Sequence, residues 1–368
     1  MSGELKKLRL DGWKSIKHAT LELRRMNVLI GANGAGKSNL ISFLRLLHEM
    51  TEDRLQLFVG KSGGADSVLH YGAKTTPVLE ASLDFETVSG HGRYLMRLTF
   101  AAVDRLVFSE ERLEYERPEV IRPEFIEGKG NAESAVNRFA SEDNVPARDT
   151  HNFLAGCRVY HFHDTSDTAK IRLTGYIQDN RTLAPDGGNL AAFLFALKQV
   201  RPHSYRRIVG TIRQVAPFFD DFDLAPLKVN ANSILLDWRE KGNDTPFGPH
   251  QLSDGTLRAM ALITLLLQPE ETLPSLLVID EPELGLHPFA LGVVASLLKR
   301  TSYHCQVIVA TQSTTLLDHF DPQDVLVVQR RGQASEFERL DEEKLREWLE
   351  EYQLSELWEK NVIGGGPV

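Results

Sequence analysis

A glycine-rich stretch near the start of the sequence combines residue types and a spacing that suit the binding of phosphate groups. It matches the pattern G-x-x-x-x-G-K-S/T over Gly31, Ala32, Asn33, Gly34, Ala35, Gly36, Lys37 and Ser38. Glycines allow backbone N–H groups to curl around phosphate oxygens, and a helix that starts there adds a partial positive charge. Lys37 is expected to reach the β- and γ-phosphates of ATP, and Ser38 to offer its hydroxyl to Mg²⁺. The stretch therefore predicts a site for ATP and Mg²⁺, and the adjoining Asn39 is included in it.

A second candidate is an apolar run that ends in two acids, Leu276-Leu-Val-Ile-Asp280-Glu281. A carboxylate at the end of a buried strand is costly to bury unless it has a partner. Asp280 is expected to hold Mg²⁺ through water, and Glu281 to orient and polarise the attacking water. Acidic pairs are common, so the pair alone is a moderate indicator of a Mg²⁺ site. It becomes a strong one because the glycine-rich stretch occurs in the same sequence.

The third candidate is the segment Gln251-Leu-Ser253-Asp-Gly255-Thr256, directly before a predicted helix. Serine caps many helices, so a plain structural cap explains Ser253 when the segment is taken alone. Its position ahead of the helix that precedes the acidic strand favours a functional role.

Strands and helices must alternate around these residues to position them. Short apolar strands are predicted at Leu5–Leu10, Thr20–Leu23, Met26–Ile30, Leu276–Ile279, 307–310 and 325–328. Helical periodicity is predicted over Leu40–Leu47, 189–215, Ser253–Leu267 and 288–300. Continuous apolar strands separated by helices predict an α/β fold with a mostly parallel sheet and flanking helices. Alternation over residues 66–117 predicts antiparallel strands in addition.

These elements predict a division of the chain by role. Residues 1–50 and 251–330 would form the nucleotide-binding α/β lobe, and residues 51–180 an antiparallel β subdomain with a mobile insertion at about 118–156. Residues 181–250 would form a helical lobe that leads to the third motif, and residues 331–368 an amphipathic tail.

Composition excludes several other classes of protein. The 368 residues carry a net charge of −9 and are 42% hydrophobic, so the chain can bury a core but does not attract nucleic acid as a whole. Two cysteines, Cys157 and Cys305, exclude a disulfide framework and a zinc site of the CxxC type, which predicts a cytoplasmic protein. The longest apolar run, Ala259–Leu267, is too short to cross a membrane, and the N-terminus has no signal-peptide pattern.

The motifs occur in the order GANGAGKS, LSDGT, LLVIDEP, ELGLHP and IVATQS, which resembles the ABC-type ATPase core. Within that class the chain is similar to the RecF/OLD-like branch, since Gly12-Trp-Lys-Ser-Ile-Lys looks like the first strand and turn of that branch. The residues after the last strand are too few for a fused TOPRIM nuclease domain. A membrane transporter is a poor match, and the lack of a heptad insertion excludes an SMC-type protein.

The resemblance implies an ABC ATPase head that hydrolyses ATP between two copies of itself, in a homodimer or higher oligomer. Ser253 and Gly255 would belong to the signature motif and contact the γ-phosphate held by the other copy, and residues 283–288 would be the D-loop. The family suggests that Lys14 approaches the nucleotide. It also implies a role in DNA repair or anti-phage defence, with a separate effector such as a TOPRIM-type or other nuclease. The alternative is a nucleotide-gated scaffold with slow turnover and no direct DNA contact.

Two features depart from the family pattern. The switch strand usually ends in a histidine that contacts the γ-phosphate, whereas this chain has Gln312, which can donate a hydrogen bond but carries no charge. Gln312 is kept as a catalytic candidate, and fast turnover becomes an open question. The Q-loop has two candidate positions, Asp164-Thr165-Ser166 and Gln178.

Two weaker patterns allow further sites. His161 and His163 alternate beside Asp164, where a metal site is conceivable and a structural role is favoured. A basic run could contact DNA or could be an ordinary solvated helix face. Its members are Lys198, Arg201, Arg206, Arg207 and Arg213.

Overall fold

The computed structural model of the chain describes residues 3–116, 124–128, 130–141 and 144–366. Its strands are β1 (Glu4–Trp13), β2 (Ile16–Glu22), β3 (Met26–Ile30), β4 (Val78–Thr87), β5 (Gly90–Ala101), β6 (Arg105–Glu116), β7 (Glu124–Gly128), β8 (Cys157–Tyr160), β9 (Gly175–Tyr176), β10 (Phe219–Phe222), β11 (Pro226–Leu227), β12 (Asn230–Ile234), β13 (Trp238–Glu240), β14 (Pro246–Phe247), β15 (Leu276–Asp280), β16 (Gln306–Thr311), β17 (Val325–Arg331) and β18 (Ala334–Arg339).

The helices are α1 (Lys37–Met50), α2 (Leu55–Lys61), α3 (Ala65–Val68), α4 (Val136–Ser141), α5 (Val145–Ala155), α6 (Leu190–Val200), α7 (Pro202–Val215), α8 (Asp254–Leu267), α9 (Pro288–Ser302), α10 (Thr314–Leu317), α11 (Glu342–Leu349) and α12 (Leu354–Glu359). The chain separates into two compact units. The first comprises Met1–Val159, Pro274–Asp280 and Cys305–Val368, and the second comprises Tyr160–Leu273 and Glu281–His304.

A mostly parallel sheet forms the centre of the first unit. Its described strands lie in the order β18-β17-β3-β16-β15-β8, and β17, β3, β16 and β15 run parallel. All five residues of β3 and all six of β16 are buried. Strands covered on both faces are expected to be continuously apolar, and this explains the unbroken runs in the sequence. The predicted fold class is confirmed.

An antiparallel sheet in the same unit has the order β2-β1-β4-β5-β6-β7 among the described strands. Along β4 and β5 buried residues alternate with more exposed ones, as in a sheet with one face against the core and one face in water. Oppositely charged side chains pair across the open face, for example Arg93 Nε and Asp84 Oδ1 at 2.5 Å.

Helix α1 shares one hydrophobic core with both of these sheets. Its buried residues include Leu40, Phe43, Leu44 and Leu47, at the spacing of three and four that predicted the helix. The Trp13 ring packs edge-on against Phe43, with ring centroids 5.8 Å apart. The start of α1 is thereby fixed relative to the strands that precede it.

The second unit contains α6 to α9 and the short strands β9 to β14. The sequence predicts helix over 189–215, and the structure divides that region at Arg201, whose φ of −133° and ψ of 60° are not helical. Pro202 is the cause, because proline has no N–H to donate and disfavours the helical conformation in the residue before it.

The predicted insertion at about 118–156 is only partly covered, since 118–123, 129, 142 and 143 lie outside the described residues. Its described part holds β7, α4 and α5. Asn144 caps α5, with its side-chain oxygen accepting from the Ala147 N–H at 3.2 Å. Mobility of this insertion and the four-part division by role stay predictions.

None of the helices in the described ranges has both the length and the apolar character that a membrane crossing requires.

Candidate functional site

The glycine-rich stretch connects the end of β3 at Ile30 to the start of α1 at Lys37. Gly34 and Gly36 have φ values of +79° and +122°, a region that side-chain-bearing residues rarely adopt. A Cβ at Gly36 would overlap the Ser335 side chain of β18, so glycine is required there for space as well. A Cβ at Gly34 would meet no atom within 4 Å, which leaves open space beside the loop.

Lys37 is buried, and its ammonium lies over the loop that precedes it. Its Nζ donates to the carbonyl oxygen of Gly31 and to that of Ala32, the latter at 3.3 Å. The loop therefore holds the cation close to its own backbone, where an anion in the loop would meet it.

A series of hydrogen bonds connects the start of α1 to the turn after β1 and to β18. Trp13 Nε1 donates to the Asn39 carbonyl at 2.8 Å, and Asn39 Nδ2 donates to Ser15 Oγ at 2.6 Å. Ser15 Oγ in turn lies 2.7 Å from Ser335 Oγ, and the Ser335 N–H donates to the Ser15 carbonyl at 2.8 Å. The Asn39 side chain thus serves this support, and its predicted contact with nucleotide stays a prediction.

Lys14 lies in the turn after β1 with a left-handed φ of +45°. Its Nζ donates to Ser42 Oγ of α1 at 2.8 Å and lies 5.4 Å from the centroid of the Trp13 ring. Burial lowers the pKa of Lys14. The structure thus places this lysine against α1, one helical turn beyond Ser38.

The carboxyl ends of three neighbouring strands bring the other candidates together. Ile30 of β3 is in register with Thr311 of β16, and Ala310 of β16 with Asp280 of β15. The loop after Ile30, the Gln312 that follows β16 and Asp280 therefore lie along one edge of the parallel sheet. This edge is where parallel α/β sheets bind ligands.

Glu281, directly after Asp280, has a left-handed φ of +44°. Such a conformation is uncommon for a residue with a side chain, and strained residues of this kind cluster at functional sites. Glu281 begins the second unit, where its carbonyl accepts from the Leu284 N–H at 3.2 Å.

Ser253 caps α8, with its Oγ accepting from the Thr256 N–H at 3.2 Å and lying 2.9 Å from Thr256 Oγ1. The side chain is exposed at the start of the helix. A Cβ at Gly255 would overlap the carbonyl oxygen of Gly285. Only glycine therefore allows the first turn of α8 to lie against the loop of residues 283–288.

A buried arginine, Arg172, joins the loops around the start of α8. Its Nε donates to the Thr165 carbonyl at 2.7 Å, both of its terminal nitrogens donate to the Leu252 carbonyl at 3.2 Å, and Nη1 also donates to the Pro249 carbonyl. Its Nη2 pairs with Asp254 Oδ1 at 2.8 Å, and this hydrogen bond lowers the pKa of Asp254.

A second arginine, Arg258, lies one turn into α8. It donates to the carbonyls of Phe162 and His163 at 3.0 and 2.7 Å, and to Thr165 Oγ1 at 3.0 Å. Its Nη1 lies 3.4 Å from the Leu284 carbonyl. The two arginines tie the Q-loop candidate around Thr165 to the start of α8, whereas Gln178 is exposed on a turn. Neither Arg172 nor Arg258 was identified from the sequence. The position of Arg258 just after LSDGT is the one sequence feature that could have indicated a role for it, and Arg172 has no such feature.

The end of the chain also contacts the phosphate loop, which the sequence motifs did not indicate. The Ala32 N–H donates to the Gly365 carbonyl at 3.0 Å. Gly365 has a φ of +73° and a Cβ there would lie 2.6 Å from Val327 Cγ1. The only sequence signal for this contact is the run of glycines at 364–366.

The two histidines beside Asp164 lie near each other in the structure. The His161 and His163 rings lie 5.9 Å apart, but within the described ranges no three His, Cys, Asp or Glu residues gather closely enough to hold a metal ion.

Most of the predicted basic run forms ion pairs with acids of its own unit. Its pairs are Lys198 with Asp221, Arg201 with Glu271 and Arg213 with Asp220.

Comparison with known proteins gives one family and one fold. A family model described as "AAA domain, putative AbiEii toxin, Type IV TA system" matches residues 26–318. A crystal structure of an SmcHead bound to the C-winged helix domain of ScpA has 16% identity and a TM-score of 0.61, with 94% of this chain and 99% of that chain covered. An Smc head domain with an extended coiled coil, bound to the C-terminal domain of ScpA derived from Pyrococcus furiosus, has 16% identity and a TM-score of 0.60, with 95% and 99% covered.

These likenesses show the shared head fold alone, and the predicted exclusion of an SMC-type protein stays a prediction. No curated protein matches the sequence.

Proposed function

The chain belongs to the AAA domain family that matches residues 26–318, and we propose that it binds ATP with Mg²⁺ and hydrolyses it. One observation carries the proposal. The phosphate loop, Gln312 and Asp280 lie at the aligned carboxyl ends of three adjacent parallel strands. Phosphate-binding loops of nucleotide-hydrolysing enzymes have this setting.

The residues fit ATP and Mg²⁺. Gly34 and Gly36 place no side chain in the loop at their positions, and the backbone N–H groups of the loop and the start of α1 would donate hydrogen bonds to phosphate oxygens. Lys37 would exchange its bonds to the loop carbonyls for the β- and γ-phosphates. Bound Mg²⁺ would neutralise phosphate charge, with Ser38 as a direct ligand and Asp280 holding it through water.

Glu281 would act as the general base, taking a proton from the attacking water at its carboxylate. Gln312 would donate a hydrogen bond towards the γ-phosphate from the end of β16. Because an amide stays neutral, this contact would stabilise developing charge less than a histidinium could.

We further propose that two copies enclose the ATP, with Ser253 and Gly255 of one copy facing the phosphate loop of the other. The exposure of Ser253 at the start of α8 supports this arrangement. Leu284, within the loop of residues 283–288, and Phe289, in the first turn of α9, are 41% and 59% exposed. Large apolar side chains that stay exposed favour a surface that another chain covers.

The biological setting that we propose is DNA repair or anti-phage defence, with a separate effector such as a nuclease. The resemblance to the RecF/OLD-like branch supports it. The similar Smc heads were solved with a piece of ScpA, and an analogous partner for this chain would be a separate protein. Gln312 favours a second candidate, a scaffold that binds ATP tightly and turns it over slowly.

Steady-state ATP hydrolysis by the purified chain, with and without DNA, tests the proposal. The ATPase proposal expects turnover that depends on Mg²⁺ and is lost in Glu281→Gln while ATP binding persists. Turnover that DNA accelerates favours the repair or defence motor, and slow turnover that DNA leaves unchanged favours the scaffold. Absence of ATP binding by the wild-type chain would refute both. Proteins that copurify with the chain would identify the effector.

A further inference from the structure

A cavity in the second unit has a positively charged wall and no part in the proposed nucleotide site. It has a volume of about 240 Å³ and lies among α7, the end of α9 and the loop that follows α8. One water molecule needs about 10–15 Å³, so the cavity can hold a polyatomic group together with bound water. Ser204 and Arg207 of α7 and Arg300 of α9 are among the residues that line it.

Arg207 and Arg300 are the unusual members of this wall. Neither guanidinium forms a hydrogen bond or an ion pair with any residue in the part of the chain that the structure describes. Burial lowers the pKa of Arg207, and the nearby positive charge of Arg300 lowers it further. Two like charges in the wall of one cavity repel each other, and an anion between them would remove that cost.

Two acids also line the cavity, and each lies within ion-pair distance of a residue other than Arg207 and Arg300. Glu271 Oε1 accepts from Arg201 Nη2 at 2.9 Å. Glu270 Oε2 lies 3.3 Å from His304 Nδ1 and also attracts Arg207. The three arginines that line the cavity, Arg201, Arg207 and Arg300, outnumber its two carboxylates, so the cavity keeps a net positive charge.

A plain structural role accounts for only one of the two arginines. A cation in the last turn of a helix interacts favourably with the helix dipole, and Arg300 occupies such a position in α9. Arg207 lies in the first half of α7, three residues after Ser204 and therefore on the same face. The dipole does not explain why this second cation lines the same cavity as Arg300.

We propose that this cavity binds a phosphoryl group, with Arg207 and Arg300 as charged donors and the Ser204 hydroxyl as a neutral donor. The planar guanidinium group matches the spacing of phosphate oxygens and can donate to two of them at once. The phosphoryl group could belong to a free phosphorylated molecule or to a nucleic-acid backbone. Both sources present the same oxygens, and the experiment separates them.

The proposal is independent of ATP hydrolysis, since every residue in it lies in the second unit and outside the predicted motifs. The ion pairs of the basic run also show which of its members remain available to bind an anion. Lys198, Arg201 and Arg213 are held by acids, so the run offers Arg207 in the cavity and Arg206 on the exposed side of α7.

Calorimetric titration of the full chain with inorganic phosphate tests the site. Lys37→Ala is present throughout, because it removes the other expected phosphate site. Arg207→Ala and Arg300→Ala are each compared with Arg206→Ala, which removes one exposed arginine from the same helix as Arg207. Circular dichroism confirms that each variant is folded.

We expect saturable phosphate binding that Arg207→Ala and Arg300→Ala each weaken by about tenfold or more. Arg206→Ala should leave the affinity within about twofold, because a distant exposed charge is screened by salt. The phosphate affinity of Arg207→Lys should lie between those of Arg207→Ala and the parent, because lysine keeps the charge but lacks the planar guanidinium group.

A single-stranded oligonucleotide then identifies the source of the phosphoryl group. If the oligonucleotide displaces phosphate and loses affinity in Arg207→Ala, the cavity binds a nucleic-acid backbone. If phosphate binds and the oligonucleotide does not compete, the ligand is a free phosphorylated molecule. Absence of saturable phosphate binding overturns the proposal, and so does equal affinity in Arg207→Ala and Arg206→Ala.

Discussion

The phosphate loop and the LSDGT segment both begin a helix, but different kinds of contact hold them. In the phosphate loop, a buried strand, two glycines with positive φ and the first turn of α1 follow one another within residues 26–40. In the LSDGT segment, the loop before α8 is held by Arg172, which lies about 80 residues earlier in the chain. Local sequence therefore encodes most of the first geometry and little of the second.

A required glycine occurs in each region, and the reason is the same. A Cβ at Gly36 would overlap the side chain of Ser335, and a Cβ at Gly255 would overlap the carbonyl of Gly285. In both cases the obstructing atom belongs to a distant segment. The glycines are visible in the sequence, but the atoms that require them are not.

The largest effect is expected where the geometry is local. Lys37→Ala removes the side-chain cation held over the loop, so ATP affinity should fall by about a hundredfold or more. Equilibrium binding of a fluorescent ATP analogue measures it. Lys17→Ala, which removes an exposed lysine from β2, is the control and should bind normally. Unchanged affinity in a folded Lys37→Ala protein would show that the phosphate-loop assignment is wrong.

Arg172→Ala tests the long-range support of the LSDGT segment. It leaves the carbonyls of Thr165, Pro249 and Leu252 without their donor, and we expect a loss of about 3 kcal/mol in the free energy of unfolding. Urea denaturation measures this loss. Arg181→Ala removes an exposed arginine of the same unit and should cost less than about 0.5 kcal/mol. Similar stability of the two variants would mean that Arg172 does not hold this segment.

Gly365→Ala tests whether the phosphate loop also depends on a distant contact. The new Cβ would press on Val327 and displace the Gly365 carbonyl that accepts from the Ala32 N–H, so ATP affinity should fall a few-fold. Gly332→Ala is a matched control, because Gly332 also has a positive φ, +59°, but faces open space. Equal ATP affinities in the two variants would show that the contact between Gly365 and Ala32 does not support the phosphate loop.

Sequence alone predicted the elements whose pattern is short-range. The four apolar residues of β3, the glycines after it and the spacing of Leu40, Phe43, Leu44 and Leu47 all lie within about 20 residues of one another. Pro202 was equally visible, and its effect on the helix predicted over 189–215 follows from its missing N–H.

The supports of the site could not be predicted, because they join segments far apart in the chain. Ser335 contacts Ser15, in the turn between β1 and β2, across 320 residues, and Gly365 contacts Ala32 across more than 300. Arg172 has no motif around it, and nothing in its local sequence indicates that it is buried among carbonyl groups. Such contacts follow from packing, which one sequence does not display.

The smallest expected effect concerns the switch position. Gln312→His would offer the histidine that is usual in ABC-type ATPases, and we expect hydrolysis to be equal or up to a few-fold faster, because an imidazolium can carry charge. Steady-state turnover measures it, with Gln323→His, a change at another glutamine of the same unit, as the control. Complete loss of turnover in a folded Gln312→His protein would show that glutamine has a specific role in this site.

The most direct test of the central claim is the mass of Glu281→Gln in solution with and without ATP, measured by light scattering. If two copies enclose ATP, this variant should bind ATP without hydrolysing it and double its mass, or reach a higher even multiple. Adding Ser253→Arg should restore the smaller mass while ATP still binds, because the phosphate loop is intact. The same mass with and without ATP, in a protein that binds ATP, would contradict the account.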